Sequence, residues 1–331
     1  MPSVDTVRVT APDPRPIRLG VIGLGAMGVE MLGAAVPHPD FAVRLAADLN
    51  PRTVAERGAA YPDVTVTTDP AEVIGSTELD AVYLATPPAS HADLAVAALR
   101  SGKAVFCEKP LAISLADGQR MLAAAQESGL ATAVNYSLSD QHATLELERA
   151  VRAGEPGRIA GVELRLRFPR WPRAFQADAT WLAENAQGGF LREVFSHFAY
   201  LTDRLLGVLT PVHLDVTYGR PGGSEIAAHG LFRAGGVPVG VSGLSGVAGP
   251  ELYEWTLWGA ERSYQLRDWT TLFVHENDDW ARVPLPAETG SEATRLTRFA
   301  AAVRGERPEH LADFATALRV QRVVEGFHHL G

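Results

Sequence analysis

The sequence predicts a doubly wound α/β domain followed by an α+β domain whose largely antiparallel sheet has one open face. That expectation rests on a change of rhythm along the chain. From Ile17 to about Val134, short apolar runs alternate with helix-length stretches. Beyond Gly161, strand-like segments follow one another with only turns between most of them.

In the first half the strand candidates are IRLGVI, FAVRLAA, VTV, AVYLA, KAVFC and ATAV. Segments such as HADLAVAALRSG and LADGQRMLAAAQESG lie between them and have helical composition. Short β-rich runs joined by helix-length connections build a parallel sheet through repeated right-handed crossovers. A helix through TLELERAVRAGEP then leads into an alternating strand over 161–168. Glu163, Arg165 and Arg167 share one face of it, and Val162, Leu164, Leu166 and Phe168 share the other. The runs PVHLDVTYG, EIAAHGLFRA, VPVGVSGLSG, ELYEWTLWG, RSYQLRD and TLFVHE continue as an antiparallel sheet with one covered face. Helical segments near 291–304 and 313–330 close the chain.

At 331 residues the chain exceeds one ordinary core, and 46% hydrophobic residues supply enough apolar material for two. The formal charge of −9 argues against nucleic acid or an anionic membrane as partner, since either needs a concentrated basic face. Cys107 is the single cysteine, which excludes an internal disulfide and a cysteine metal cluster. The first sixteen residues carry no apolar core of a signal peptide, and no run is long enough to span a bilayer. The expected location is therefore cytoplasmic, with residues 1–16 as a flexible arm.

The first strand candidate ends in Gly23-x-Gly25-x-x-Gly28, with Ala26 and Met27 between the last two glycines. Gly23 permits a tight turn, Gly25 lets the backbone approach a pyrophosphate, and Gly28 lets helix pack on strand. The helix start then offers free N–H groups to phosphate. Asp48 follows at the end of the next strand, where a carboxylate accepts hydrogen bonds from the adenosine ribose and repels a 2′-phosphate. This favours NAD, while Arg52 nearby keeps NADP open. The plainer reading makes Asp48 a cap for the helix starting near Pro51. Residues 17–135 are thus expected to form an NAD(P)-binding Rossmann domain.

Two further elements sit at strand ends, where doubly wound folds bind ligands. Thr86, Pro87 and His91 follow AVYLA; Cys107, Glu108, Lys109 and Pro110 follow KAVFC. A held ammonium at Lys109 suits steering of a substrate oxygen or a share in proton transfer. Taken alone, a lysine at a strand end is a surface charge.

GLGAMG, ATPPASH and CEKP, in this order and spacing, resemble the Gfo/Idh/MocA oxidoreductases. The resemblance extends through GGFLREVFSHFAYLTDRLLG and ADFATALRVQRVVEGFHHL. It implies hydride transfer in a cleft between the Rossmann domain and a substrate-binding and oligomerisation domain over 136–331. Homodimers or homotetramers through the open sheet are implied as well. The family's Asp-x-x-x-His pattern falls on Glu193 and His197. The resemblance assigns His197 the substrate proton, Lys109 the stabilisation of charge on the same oxygen, and Glu193 the support of both. Glu193 adds a methylene to the usual aspartate, and Phe195 stands where family members often have glycine. Both changes reshape the pocket.

Arg192, Trp171 and Tyr136 are further candidates for the substrate pocket, against the plainer readings of solvent-facing arginine and packed aromatics. Two histidines at 328–329 without other ligands make poor grounds for a metal, and none is expected. The function expected is an NAD(H)-dependent dehydrogenase or reductase of a sugar, polyol, inositol or cyclic diol. Reduction of another carbonyl or an imine, and a dinucleotide-binding sensor without turnover, are the alternatives.

Overall fold

The computed structural model describes residues 15–328 except 177, 277 and 287–289. The expected arm, apart from its last two residues, lies outside the described residues, as does His329.

The first domain runs β1 (Ile17–Ile22), α1 (Ala26–Ala35), β2 (Phe41–Ala47), α2 (Pro51–Ala60), β3 (Thr65–Thr67) and α3 (Pro70–Gly75). It continues through β4 (Ala81–Leu84), α4 (His91–Arg100), β5 (Ala104–Cys107), α5 (Leu115–Ser128) and β6 (Thr132–Val134). The six strands are all parallel, in the order β3-β2-β1-β4-β5-β6. Every residue of β4 and β5 is buried, as expected for strands covered by helices on both faces. The order reverses between β1 and β4, so a crevice opens at their carboxyl ends.

The chain then forms α6 (His142–Arg152), β7 (Ile159–Phe168), a π-helical turn (Leu191–Phe195) and α7 (Ser196–Leu206). Seven more strands follow: β8 (Leu209–Tyr218), β9 (Glu225–Ala234), β10 (Val237–Ser245), β11 (Leu252–Gly259), β12 (Tyr264–Arg267), β13 (Thr271–Glu276) and β14 (Asp279–Arg282). Last come α8 (Glu292–Val303) and α9 (Phe314–His328). The eight strands of this half are ordered β14-β13-β12-β11-β7-β10-β9-β8. In β7 the alternation holds: Val162, Leu164, Leu166 and Phe168 are buried while Glu163 and Arg165 are exposed. One pairing departs from the antiparallel expectation. β10 runs parallel to β7, because β7 enters the centre first and the β8–β9–β10 meander then lies along one side of it. Among the described residues no helix is long and apolar enough to cross a membrane.

Late segments of the chain return to the first domain. On α8, Phe299 lies parallel to Phe41 at 6.4 Å and tilts against Phe106 at 5.1 Å, with Leu296 and Ala300 buried beside it. α9 packs against both α5 and α7. Spatially, then, α8 covers the first sheet although it follows the second in sequence.

Two buried ionisable groups brace the π-helical turn. Arg192 donates through Nε and Nη2 to Glu325 on α9, both at 2.7 Å, and through Nη1 to the carbonyls of Asn185 and Gly188. Glu225 opens β9 with no exposed surface, and its Oε1 accepts the Leu191 N–H at 2.5 Å. Among the described residues Oε2 of Glu225 has no hydrogen-bond partner, and burial pushes this carboxyl up to about 7. We expect Glu325→Ala to cost about 3–5 kcal/mol, read by urea unfolding, since it strands a buried guanidinium. Glu225 should contribute stability below its ordinary value of 4.5 and lose it as pH rises towards 7. The contribution lost is about 3 kcal/mol. Glu225→Gln should flatten that slope in denaturation at a series of pH values; an unchanged slope would assign it to another group.

Candidate active site

At the carboxyl end of β1, Gly23 adopts φ +94°, and a Cβ there would lie 2.6 Å from the backbone of Ala85. A Cβ on Gly28 would meet the Gly23 carbonyl oxygen at 1.9 Å, so the helix packs directly on the turn. A Cβ on Gly25 would meet nothing within 4 Å: this glycine faces open space. Gly25, Ala26 and Met27 are exposed, and α1 begins with no side-chain cap and no acidic residue in its first turn. By contrast, Asn50, Asp69, Ser114 and Ser291 cap the helices that follow them. Bare N–H groups, an open glycine and a positive dipole end fit a dinucleotide pyrophosphate.

Asp48 is half-buried at the end of β2. Its carboxylate accepts the Leu24 N–H at 2.8 Å and the Asn50 N–H at 2.9 Å, which ties it to the glycine turn. The cap of α2 is Asn50, accepting the Arg52 N–H at 3.0 Å, so Asp48 does not fill that role. Leu49 beside it is 77% exposed. Arg52 points into solvent in an ion pair with Glu56 at 2.9 Å.

Thr86 and Pro87 lie at the crevice after β4, with Ser90 donating to both the Thr86 hydroxyl and the Pro87 carbonyl. Two expected cofactor contacts require correction. His91 is fully buried, its Nδ1 3.0 Å from the Pro110 carbonyl and its Nε2 2.8 Å from that of Thr86. It ties the β4 and β5 loops together from beneath. Glu108 is also buried and accepts hydrogen bonds from Tyr83 and, at 2.8 Å, from Asn135. Burial pushes its carboxyl up to about 6. His91 has no surface to offer a nucleotide, and the Glu108 carboxylate is taken up by Tyr83 and Asn135.

Lys109, between them and the second domain, crosses the cleft. Its Nζ donates to the Glu193 carboxylate and to the Glu193 carbonyl at 3.2 Å. The other carboxylate oxygen of Glu193 accepts from Gln176 at 2.7 Å and from Arg173 at 3.2 Å. Glu193 lies in the π-helical turn and His197 one turn on, at the start of α7. Single π-helical turns inside helices recur at functional sites. The His197 ring is buried edge-on to Tyr136 at 5.7 Å and to Trp269 at 5.1 Å. Its Nδ1 accepts the Ser137 N–H at 3.3 Å, with the Ser137 hydroxyl at 3.1 Å. Burial, then the charges of Lys109, Arg173 and Arg295, hold this imidazole well below its ordinary value.

The other pocket candidates fall elsewhere. Arg192 is spent on Glu325 and on backbone carbonyls inside the core, so it is a structural tie instead of a substrate contact. Tyr136 is 1% exposed, stacked on Tyr200 at 4.8 Å, and supports His197 from behind instead of lining a pocket. Trp171 donates to the Leu182 carbonyl at 3.0 Å and packs on Phe168 and Phe190 within its own domain. Ser137, Gln176 and Trp269 join the site without any sequence signal, and Arg173 only as part of an aromatic-rich segment. Trp269 sits in the β12–β13 turn with φ +68°, after Asp268 at φ +49°. Two consecutive left-handed non-glycine residues are uncommon, and they carry this indole onto His197, Phe198 and Tyr253.

Comparison with known proteins agrees with this layout. Residues 17–136 match the GFO/IDH/MocA family, described as an oxidoreductase family with an NAD-binding Rossmann fold. A 1,5-anhydro-D-fructose reductase from Ensifer adhaerens is 39% identical over 110 residues, 32% of this chain and 33% of that protein. Inositol 2-dehydrogenase 2 from Paenarthrobacter aurescens (strain TC1) is 34% identical over 151 residues, 45% of each chain. The matched region thus spans less than half of these relatives. The WlbA dehydrogenase of Bordetella pertussis, solved with NADH and UDP-GlcNAcA, shares the fold over 95% of this chain and 96% of its own. The TM-score is 0.81 at 24% identity. The N-terminal domain thus matches the NAD-binding Rossmann domain of the Gfo/Idh/MocA oxidoreductases, and the two domains together share the fold of the WlbA dehydrogenase.

Proposed function

We propose that the protein is an NAD(H)-dependent oxidoreductase acting on the hydroxyl or carbonyl group of a sugar, polyol, inositol or cyclic diol. The observation that carries this reading is the contact of Lys109 with Glu193 across the cleft, one helical turn from His197. A bound nicotinamide supplies or accepts the hydride. The glycine turn at Gly23–Gly28 and the uncapped start of α1 hold the pyrophosphate, and Asp48 receives the ribose hydroxyls. A carboxylate in that place disfavours a 2′-phosphate, which supports NAD over NADP. Thr86 and Pro87, in the loop after β4, would border the bound cofactor.

Lys109 and His197 address the reacting oxygen. Glu193, itself clamped by Arg173 and Gln176, keeps Lys109 from swinging into solvent. Holding a charged donor in place before the reaction removes the reorganisation that water would need, and this is a main source of catalysis. The relatives' names, an anhydrofructose reductase and an inositol dehydrogenase, support a polyhydroxylated substrate. Association as a cytoplasmic homodimer or homotetramer would use the open face of the second sheet, where Val212 and Leu231 are exposed.

The test is a panel of polyols, aldoses, inositols, dihydrodiols and their keto forms with NAD(H) and NADP(H), followed at the reduced nicotinamide chromophore. Lys109→Ala should lower kcat/KM by about 10²–10⁴-fold while NAD binding stays within a few fold. Cofactor binding without turnover on any substrate would overturn the enzyme reading. Asp48→Ala should cut the preference for NAD over NADP by at least about tenfold in the ratio of kcat/KM. An unchanged ratio would remove Asp48 from cofactor selection.

A further inference from the structure

We propose that His197 acts as a fixed hydrogen-bond donor through Nε2 and that Lys109, not His197, carries the proton of the reacting oxygen. This rests on the oxidoreductase reading above, and differs from the general-base role that the family resemblance assigns to this histidine.

The argument starts from a group that has no choice. The backbone N–H of Ser137 can only donate, and it points at Nδ1 of His197 at 3.3 Å. Nδ1 is therefore the unprotonated nitrogen. A neutral imidazole carries one proton, so that proton sits on Nε2. Nε2 has no hydrogen-bond partner among the described residues, which leaves it for a ligand oxygen. Doubly protonating the ring would set an N–H against the Ser137 N–H.

The surroundings agree. From the end of β5 the ring faces Lys109, from the segment before the π-helical turn Arg173, and from α8 Arg295. All three are cations, each paired away from the ring with a carboxylate: Lys109 and Arg173 with Glu193, and Arg295 with Asp140 and Glu292. Tyr136, Ser137 and Trp269 supply the remaining walls. Neither ring nitrogen bonds to a carboxylate among the described residues, so nothing stabilises an imidazolium as the Asp of a catalytic triad does. Burial and these charges both favour the neutral ring.

A substrate hydroxyl cannot hand its proton to a nitrogen that already holds one. A carbonyl oxygen, an acceptor only, matches Nε2–H. It also matches Lys109: two of the three ammonium N–H groups go to Glu193, and one remains. During reduction the carbonyl carbon gains a hydride from the reduced nicotinamide, and the C=O π electrons move onto oxygen. The Nζ–H bond of Lys109 breaks as the new O–H bond forms. The product is a secondary alcohol, the nicotinamide is left oxidised, and the Lys109 amine regains a proton from water. His197 keeps its proton and stabilises the oxygen's developing charge.

The first readout needs no turnover. In the cofactor-free protein labelled with ¹⁵N-histidine, the resonances lost in His197→Gln identify the ring. We expect an unprotonated Nδ1 and a protonated Nε2 from about pH 5 to 8. A proton on Nδ1, or titration of the ring inside that range, would overturn the proposal. The second readout is kinetic, with a ketone substrate and its alcohol. Glutamine keeps an N–H donor near the Nε2 position, so His197→Gln should hold kcat/KM for reduction within about tenfold, while His197→Ala loses about 10²–10³-fold. Equal losses in both variants would mean a proton-transferring histidine. Lack of any turnover would sink the oxidoreductase reading and the donor role together, whereas a Nδ1 proton would sink the donor role alone.

Discussion

A charge withdrawn from water must find an opposite charge or a ring of hydrogen bonds, and in this chain several of those partners lie across the domain boundary. Lys109 leaves the end of β5 and finds Glu193 in the second domain. Arg295, on α8, donates to Asn135 just past β6 at 2.7 Å, to Asp140 at 3.0 Å and to Glu292. Gln321 on α9 donates to the carbonyls of Ala112 and Ser114, both at 2.9 Å. These pairings hold the two sheets in one relative position.

Within the cleft the backbone decides as much as the side chains do. At α1 the sequence omits a capping side chain, and the N–H groups stay open to an anion. At Ser137 a single N–H selects the protonation pattern of His197. Glu225, under Leu191, accepts a backbone donor at the entry to the π-helical turn, and Arg192 holds the same turn from the other side. The turn that presents Glu193 is thus braced on two faces by groups that never meet a ligand. Removing them acts on stability first and on chemistry through position.

The regular features were legible in the sequence for physical reasons. The turn at Gly23 and the close packing at Gly28 were legible because backbone sterics at a strand–helix turn leave few alternatives. The position of Asp48 was legible because it directly follows β2. The alternation in β7 is likewise local, since a strand places successive side chains on opposite faces. His91, Glu108 and Arg192 look like surface groups in the sequence, because their types are usually exposed. Each is buried by partners far along the chain: His91 by the loop at Pro110, Glu108 by Tyr83 and Asn135, Arg192 by Glu325. Nothing near them in sequence announces those partners.

By itself the sequence determined the two kinds of sheet, the phosphate-binding turn, and the identities of Lys109, Glu193 and His197 as residues worth bringing together. The first two depend on local periodicity and local sterics, and the last on the resemblance to a known family. Only the tertiary structure decided that α8 covers the first sheet and that β10 lies parallel to β7. It alone decided that Lys109 reaches Glu193, and that Ser137 and Trp269 frame His197. The physical reason is common to all of them. Burial, ion pairing and the tautomer of a histidine depend on which atoms are neighbours in space, and neighbours separated by sixty or more residues leave no trace in the spacing of either.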